Sequence, residues 1–192
     1  RNNEAALKYF LLGSFATAFF LYGVAIAYGL TGSTRLDEIR TALAAPDTSM
    51  MMVGVATALM FVGLAFKVSG APFQMWAPDV YQGAPTSVTA FMAAGAKAAG
   101  FAALLRVFAS AFPSLSADLW PVLWVLSALT MVLGNLVAIA QTDIKRMLAY
   151  SSIAQAGYIL MAFVPFENPA VRAISVAAAI FYLVAYTLTS FG

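Results

Sequence analysis

The chain has 192 residues, 62% of them hydrophobic and only 9% charged, with a formal net charge of +2. Soluble domains carry roughly 25% charged residues, so this composition belongs in a membrane, and so small a net charge excludes a nucleic-acid partner. With no cysteine and no histidine, disulfides, thiolate or imidazole metal sites, iron–sulfur or haem ligation and every Ser-His or Cys-His nucleophile are excluded, leaving proton chemistry to Lys, Glu, Asp, Tyr and bound water.

A spanning helix needs about 20 mostly apolar residues, and six runs qualify. The first is 5–30, with Glu4 and Lys8 four apart near its start. The segment 31–48 carries Arg35, Asp37, Glu38 and Arg40 and reads as a surface helix. The second run is 49–67, continued after a break by 71–82. The others are 86–112, 118–141, 146–164 and 170–191. Period-two alternation is absent, so helices rather than a barrel satisfy the backbone. The expected fold is all-α, a polytopic transmembrane bundle with one discontinuous helix. It forms a single membrane domain, 1–192, read as an interior piece of a longer polypeptide. The first run lacks a cleavage-site pattern and exceeds a signal-peptide core. Arg1, Lys8, Lys145 and Arg146 fall at one set of helix ends. Arg35, Arg40 and Arg172 fall at the other, with Asp37, Glu38, Asp47, Asp118 and Glu167. The positive-inside rule assigns the first set to the cytoplasmic side.

Two lysines interrupt the apolar runs. Lys67 follows the uncharged stretch 50–66, and Lys97 stands midway through 87–105. An ammonium at membrane depth is costly and marks a functional position by default. Carried out of water, a lysine becomes a group that can release and take up a proton. After Lys67 come Gly70, Pro72, Pro78, Gly83 and Pro85. Proline removes a backbone donor, and freed carbonyls at membrane depth are tolerated only inside protein or beside water. Interrupted helices of this kind mark ion and transporter sites. Lys67 ends the first half-helix, where its charge complements the negative end of the dipole.

Three stretches are shared with a known family. They are Phe66-Lys67-Val68-Ser69 with Pro72-Phe73, Trp76-Ala-Pro78-Asp79-Val80-Tyr81-Gln82-Gly83-Ala84-Pro85, and the run from Gly134-Asn135-Leu136 through Gln141-Thr-Asp-Ile-Lys145-Arg146 to Tyr150-Ser151-Ser152-Ile153 and Gly157-Tyr158. The chain resembles the antiporter-like membrane subunits of respiratory complex I, and its PDVYQGAP form resembles the N-type branch among them. The resemblance implies helices six to eleven of a fourteen-helix fold built from two inverted five-helix repeats. It implies that Lys67 is the lysine of the first broken helix, Lys97 the connecting lysine of the next, and Glu4 and Lys8 the pair on the sixth helix. The family's principal glutamate and its second broken-helix lysine fall outside this sequence. Relatives often carry histidine where this chain has Gln74 and Gln155; glutamine does not titrate, so neither position is an obligatory proton carrier here.

The site residues expected to transfer protons are therefore Lys67, Lys97, Lys8 and Glu4, with no metal and no cofactor in this chain. Each has a plainer role beside it. Lys97 is a structural lysine bonded to carbonyls, Lys67 a cap on the broken helix, and Glu4–Lys8 a surface pair worth about 0.3–0.5 kcal/mol. Asp79 reads as a turn or N-cap carboxylate, and Lys145 and Arg146 as topology anchors. Ser69, Gln74, Thr86, Ser87, Thr89, Tyr150, Ser151, Ser152 and Tyr158 form a pool of groups for a wet path. The resemblance implies proton translocation in the membrane arm of an NADH:quinone oxidoreductase, with NADH, FMN, Fe–S clusters and quinone in partner subunits. Other membrane-arm subunits, lipid, water and protons are the partners, and the bacterial inner membrane the location. Three alternatives stand beside it: a cation/proton antiporter subunit, a relative with another electron donor, and a structural scaffold.

Overall fold

Inside lipid a backbone must satisfy its own hydrogen bonds, and the long apolar runs do so as helices. The computed structural model describes residues 2–45, 47–112 and 116–191; Arg1 lies outside the described residues. Helix α1 is Asn2–Thr31, α2 Leu36–Leu43, α3 Met50–Val68, α4 Trp76–Gly83, α5 Thr86–Phe91, α6 Lys97–Ala111, α7 Ser116–Ile139, α8 Ile144–Met161 and α9 Pro169–Phe191. No strand occurs among the described residues. Among the described residues, five helical stretches are long and apolar enough to cross a membrane: Asn2–Thr31, Met50–Gly83, Thr86–Ala111, Pro121–Ile139 and Ala170–Phe191. Helix α8 is more polar. It buries Ala149, Ser152, Ile153, Ala154, Ala156, Gly157, Ile159 and Leu160 against its neighbours.

Small residues set the closest packing. Without a hydrophobic force between helices in lipid, association relies on close van der Waals fit. At the α7–α8 contact, a Cβ added to Gly134 would stand 2.6 Å from the Ala154 nitrogen. At the α1–α3 contact, one on Gly23 would stand 2.6 Å from the Ala56 oxygen. Phe61, Leu64, Phe101, Leu104, Ile159 and Leu160 fill the space where α3, α6 and α8 meet. Helix α2 buries Ile39 and Leu43 and leaves its charges outside. There Arg35 pairs with Asp37 at 3.0 Å and holds the Asp37 carboxyl below the usual carboxylate range.

The discontinuity falls between α3 and α4. Ser69 adopts a left-handed conformation (φ 61°) and ends α3. Its backbone N–H donates to the Phe66 oxygen at 3.1 Å, and the Gly70 N–H donates to Ala65 at 2.9 Å, a helix-ending pair of bonds that satisfies two terminal carbonyls. A cis Ala71–Pro72 bond and a 3₁₀ turn, Phe73–Met75, lead into α4. Pro78 is accommodated because the first turn of a helix has no internal acceptor for its N–H groups. Two long-range bonds fix the break. The Ala71 N–H donates to Thr130 Oγ1 of α7 at 2.9 Å, and the Trp76 indole N–H donates to the Phe66 oxygen at 2.9 Å.

A second irregularity lies within the next span. Met92–Ala96, between α5 and α6, is π-helical and leads directly into Lys97. Such segments frequently occur at functional positions.

Candidate functional site

Lys97 is the most enclosed ionisable group that sequence reasoning singled out, with 1% of its surface exposed. The small residues Ala93, Ala94 and Gly100 beside it are also buried and let other helices approach. Its Nζ donates to the Ser152 backbone oxygen and to Ser152 Oγ, both at 2.6 Å. The Tyr186 hydroxyl of α9 donates to the same Ser152 Oγ at 2.7 Å. The Tyr81 ring of α4 lies with its centroid 6.0 Å from Nζ, at the outer reach of a cation–π contact. These contacts are all neutral: a carbonyl, two hydroxyls linked in series and an aromatic face. They orient an ammonium without an acid to neutralise it, an arrangement costly enough to favour a reversible charge.

A cleft of about 570 Å³ adjoins this cluster between α5, α8 and α9. Thr86, Thr89, Ser151, Ser152, Gln155, Tyr182, Tyr186, Thr189 and Ser190 supply its polar lining, and Lys145 stands at its edge. Gln155 accepts a short hydrogen bond from the Tyr182 hydroxyl. Lys145 Nζ donates to the Ala84 oxygen at 2.9 Å, tying the start of α8 to the end of α4.

Lys67 does not cap the broken helix, and within this chain it is exposed. The Phe66 and Ala65 carbonyls are met instead by Trp76, Ser69 and Gly70. Lys67 leans along a groove of about 710 Å³ between α1 and α3, and its Nζ donates to the Tyr9 hydroxyl at 3.3 Å. The physical reason is local: α3 is apolar on all sides, so its composition gave no clue to the face that remains open. The Lys67 stem still packs on α6. A Cβ on Gly100, one turn beyond Lys97, would meet Lys67 Cγ at 3.3 Å.

Glu4 and Lys8 do pair, at 2.7 Å, and both are exposed or nearly so. Lys8 turns its second contact to Asp79, at 2.8 Å, rather than to Lys67. Asp79 is neither a turn residue nor an N-cap. It lies in the first turn of α4 and receives Arg146 Nη1 at 2.5 Å on its other oxygen. Arg146 also donates to Gln82 at 3.2 Å. One carboxylate thus joins α1, α4 and α8 through two cations, a task beyond that of a topology anchor. Sequence reasoning missed this because the partners lie 71 and 67 residues away.

The whole chain, residues 1–192, matches the profile of the NADH:quinone oxidoreductase/Mrp antiporter transmembrane family. The chain belongs to that family. It is an integral membrane protein. It is 58% identical over 192 residues to the NADH-quinone oxidoreductase subunit N 1 of Solibacter usitatus, all of this chain against 38% of that protein. Among solved structures it resembles a chain of Thermus thermophilus respiratory complex I with bound aureothin, at 48% identity and a TM-score of 0.74, over 97% of this chain and 39% of that one. It also resembles a chain of the Mrp complex from a Dietzia species, at 30% identity and a TM-score of 0.85, over 97% of this chain and 33% of that one. The all-α, polytopic, antiporter-like fold expected from sequence is therefore the fold of this family member. The chain spans well under half the length of these relatives.

Within this family member, sequence reasoning placed Ser152 only in a pool of hydroxyls and did not single out Tyr81 or Tyr186 for a role. A lysine in the middle of a spanning run demands partners, but nothing in the run says which residues 55 positions away will supply them.

Proposed function

We propose that this chain forms part of the proton-translocating membrane subunit of an NADH:quinone oxidoreductase. The observation that carries the reading is Lys97, an almost fully enclosed amine in a spanning helix, bonded to hydroxyl and carbonyl groups at the edge of a cleft that several hydroxyls line. Lys97 passes a proton laterally through the membrane arm, and Lys67 and Lys8 receive and modulate charge in the first half-channel. Glu4 tunes Lys8 electrostatically. The redox steps belong to partner subunits carrying NADH, FMN, Fe–S clusters and quinone; this chain carries no redox centre. Its partners are other membrane-arm subunits, lipid and water, in a bacterial inner membrane. The segments 5–30, 49–67 with 71–82, 86–112, 118–141, 146–164 and 170–191 act as six spans of one membrane unit.

Lys97→Ala in the intact complex, reconstituted in proteoliposomes, tests this. Proton uptake and NADH oxidation are followed together, and assembly is checked. Pumping falls at least about tenfold, as for loss of a positioned proton-transfer group, with coupled turnover falling beside it. Unchanged pumping in a fully assembled complex overturns the reading and leaves Lys97 a structural residue.

The likeness to the Mrp chain, with the higher TM-score of the two structures above, favours a second reading, a cation/proton antiporter subunit. Sodium- or potassium-coupled proton exchange without NADH-linked turnover distinguishes it.

A further inference from the structure

We infer that Ser152 and Tyr186 are the relay that passes the Lys97 proton into the cleft between α5, α8 and α9. The inference rests on Lys97 being a proton carrier, as proposed above. Ser152 Oγ accepts from Lys97 at 2.6 Å and from Tyr186 at 2.7 Å. The first is short for an N–H···O bond and the second is of ordinary length for O–H···O, and together they lead from a buried amine to a side chain on the cleft wall. Ser152 is itself buried, whereas Tyr186 is half-buried and faces the cleft. The hydroxyl series therefore leads from the enclosed amine to the wall of the cleft.

A second observation is consistent with water in that cleft. Tyr81 lines it with its hydroxyl buried beside Ser152, where it makes no well-formed hydrogen bond to a described residue. Buried polar atoms of this kind are met by ordered water. The cleft's lining is largely apolar but carries a row of hydroxyl and amide groups that can hold water, and its volume of about 570 Å³ has room for on the order of ten waters.

The step balances without any other reactant. In the arrangement described, Tyr186 donates to Ser152. Rotation of the two hydroxyls makes Ser152 the donor to Tyr186 and Tyr186 the donor to a cleft water. A Lys97 Nζ–H bond then breaks as a new Ser152 Oγ–H bond forms. The original Ser152 proton moves to Tyr186 Oη, and the original Tyr186 proton moves to the water. Lys97 is left neutral, both hydroxyls keep one proton each, and the water becomes hydronium. Reversing the sequence reloads the amine. The Ser152 backbone carbonyl, also 2.6 Å from Nζ, holds the amine in line throughout.

The experiment uses the intact complex in proteoliposomes with Tyr186→Phe, Ser152→Ala and Ser152→Thr, and with Lys97→Ala as reference. Tyr186→Phe keeps the ring and its packing, and Ser152→Thr keeps the hydroxyl. Proton uptake rate, NADH oxidation and the solvent deuterium isotope effect on uptake are measured. Tyr186→Phe and Ser152→Ala are expected to slow proton uptake about tenfold and to raise its isotope effect, because transfer becomes limiting. Ser152→Thr stays within about twofold of the parent rate, a rescue that a packing role for the small serine would not give. Parent rates and isotope effects in Tyr186→Phe and Ser152→Ala, with Lys97→Ala inactive, overturn the relay and leave Lys97 as the carrier. Normal pumping in Lys97→Ala overturns both. If Ser152→Ala fails to assemble, Tyr186→Phe decides alone.

Discussion

Replacing Gly134 by alanine is a direct test of how α7 and α8 are held together. The new methyl would lie 2.6 Å from the Ala154 nitrogen, 2.9 Å from its Cα and 3.0 Å from its Cβ. Two of those three atoms are backbone, so no side-chain rotation relieves the contact. The helices must part by roughly 1 Å, and a gap of that size forfeits a quarter to a half of the dispersion energy across the seam. Overpacking of this kind costs about 1–3 kcal/mol. Because the seam also carries the Ser127 hydroxyl bond to the Gly157 oxygen at 2.8 Å, we expect about 2 kcal/mol, near a thirtyfold fall in the folding equilibrium constant. The assay is unfolding of the full-length polypeptide in mixed detergent micelles, followed by tryptophan fluorescence. Gly54→Ala is the control. Nothing lies within 4 Å of its added methyl, so it gains about 0.5–1 kcal/mol from helix propensity. Adding Ala154→Gly to Gly134→Ala removes the 3.0 Å contact but not the backbone ones and restores only part of the loss. If Gly134→Ala proves as stable as Gly54→Ala, the close-packed seam is not what binds these helices.

Two further substitutions probe the polar ties. Thr130→Val leaves the buried Ala71 N–H without its acceptor and costs about 1–3 kcal/mol in the same titration, whereas Thr130→Ser costs much less; equal stability of the two variants would deny the bond a role. Asp79→Asn removes the counter-charge from Lys8 and Arg146. With Asp79 about 30% exposed, solvent screening holds the loss to about 1–2 kcal/mol, and the parent loses more stability than the variant on adding salt. The same salt dependence in both would show that these ion pairs contribute nothing.

Much of the fold was legible because its causes are local. Apolar runs, prolines 72, 78 and 85, and the glycines around them mark the helices and the break. Lys97 was legible for the same reason: a charge in the middle of a spanning run has no local escape. What stayed hidden depends on distant partners or on facing. Lys67 sits in as apolar a run as Lys97, yet it opens onto a groove beside Tyr9. Asp79 looks like any carboxylate after a proline until α1 and α8 are brought to it. Ser152 was one hydroxyl among many, and only the fold sets it between an amine and a tyrosine. The π-helical turn before Lys97 leaves no mark in a run of alanine and glycine that suits either helical form.

A discontinuous helix is easily taken for a hinge, but this one is clamped. The Trp76 indole ties α4 back to the last turn of α3, Thr130 secures the intervening strip to α7, and the Phe73 N–H closes on the Gly70 oxygen at 2.8 Å. These bonds hold the joint at a fixed geometry. A displacement of α7 pulls on residue 71, and a tilt of α4 pulls on the Phe66 carbonyl, immediately before Lys67. Geometrically, the interruption is a corner held on three sides, with Lys67 one residue beyond the carbonyl that anchors it.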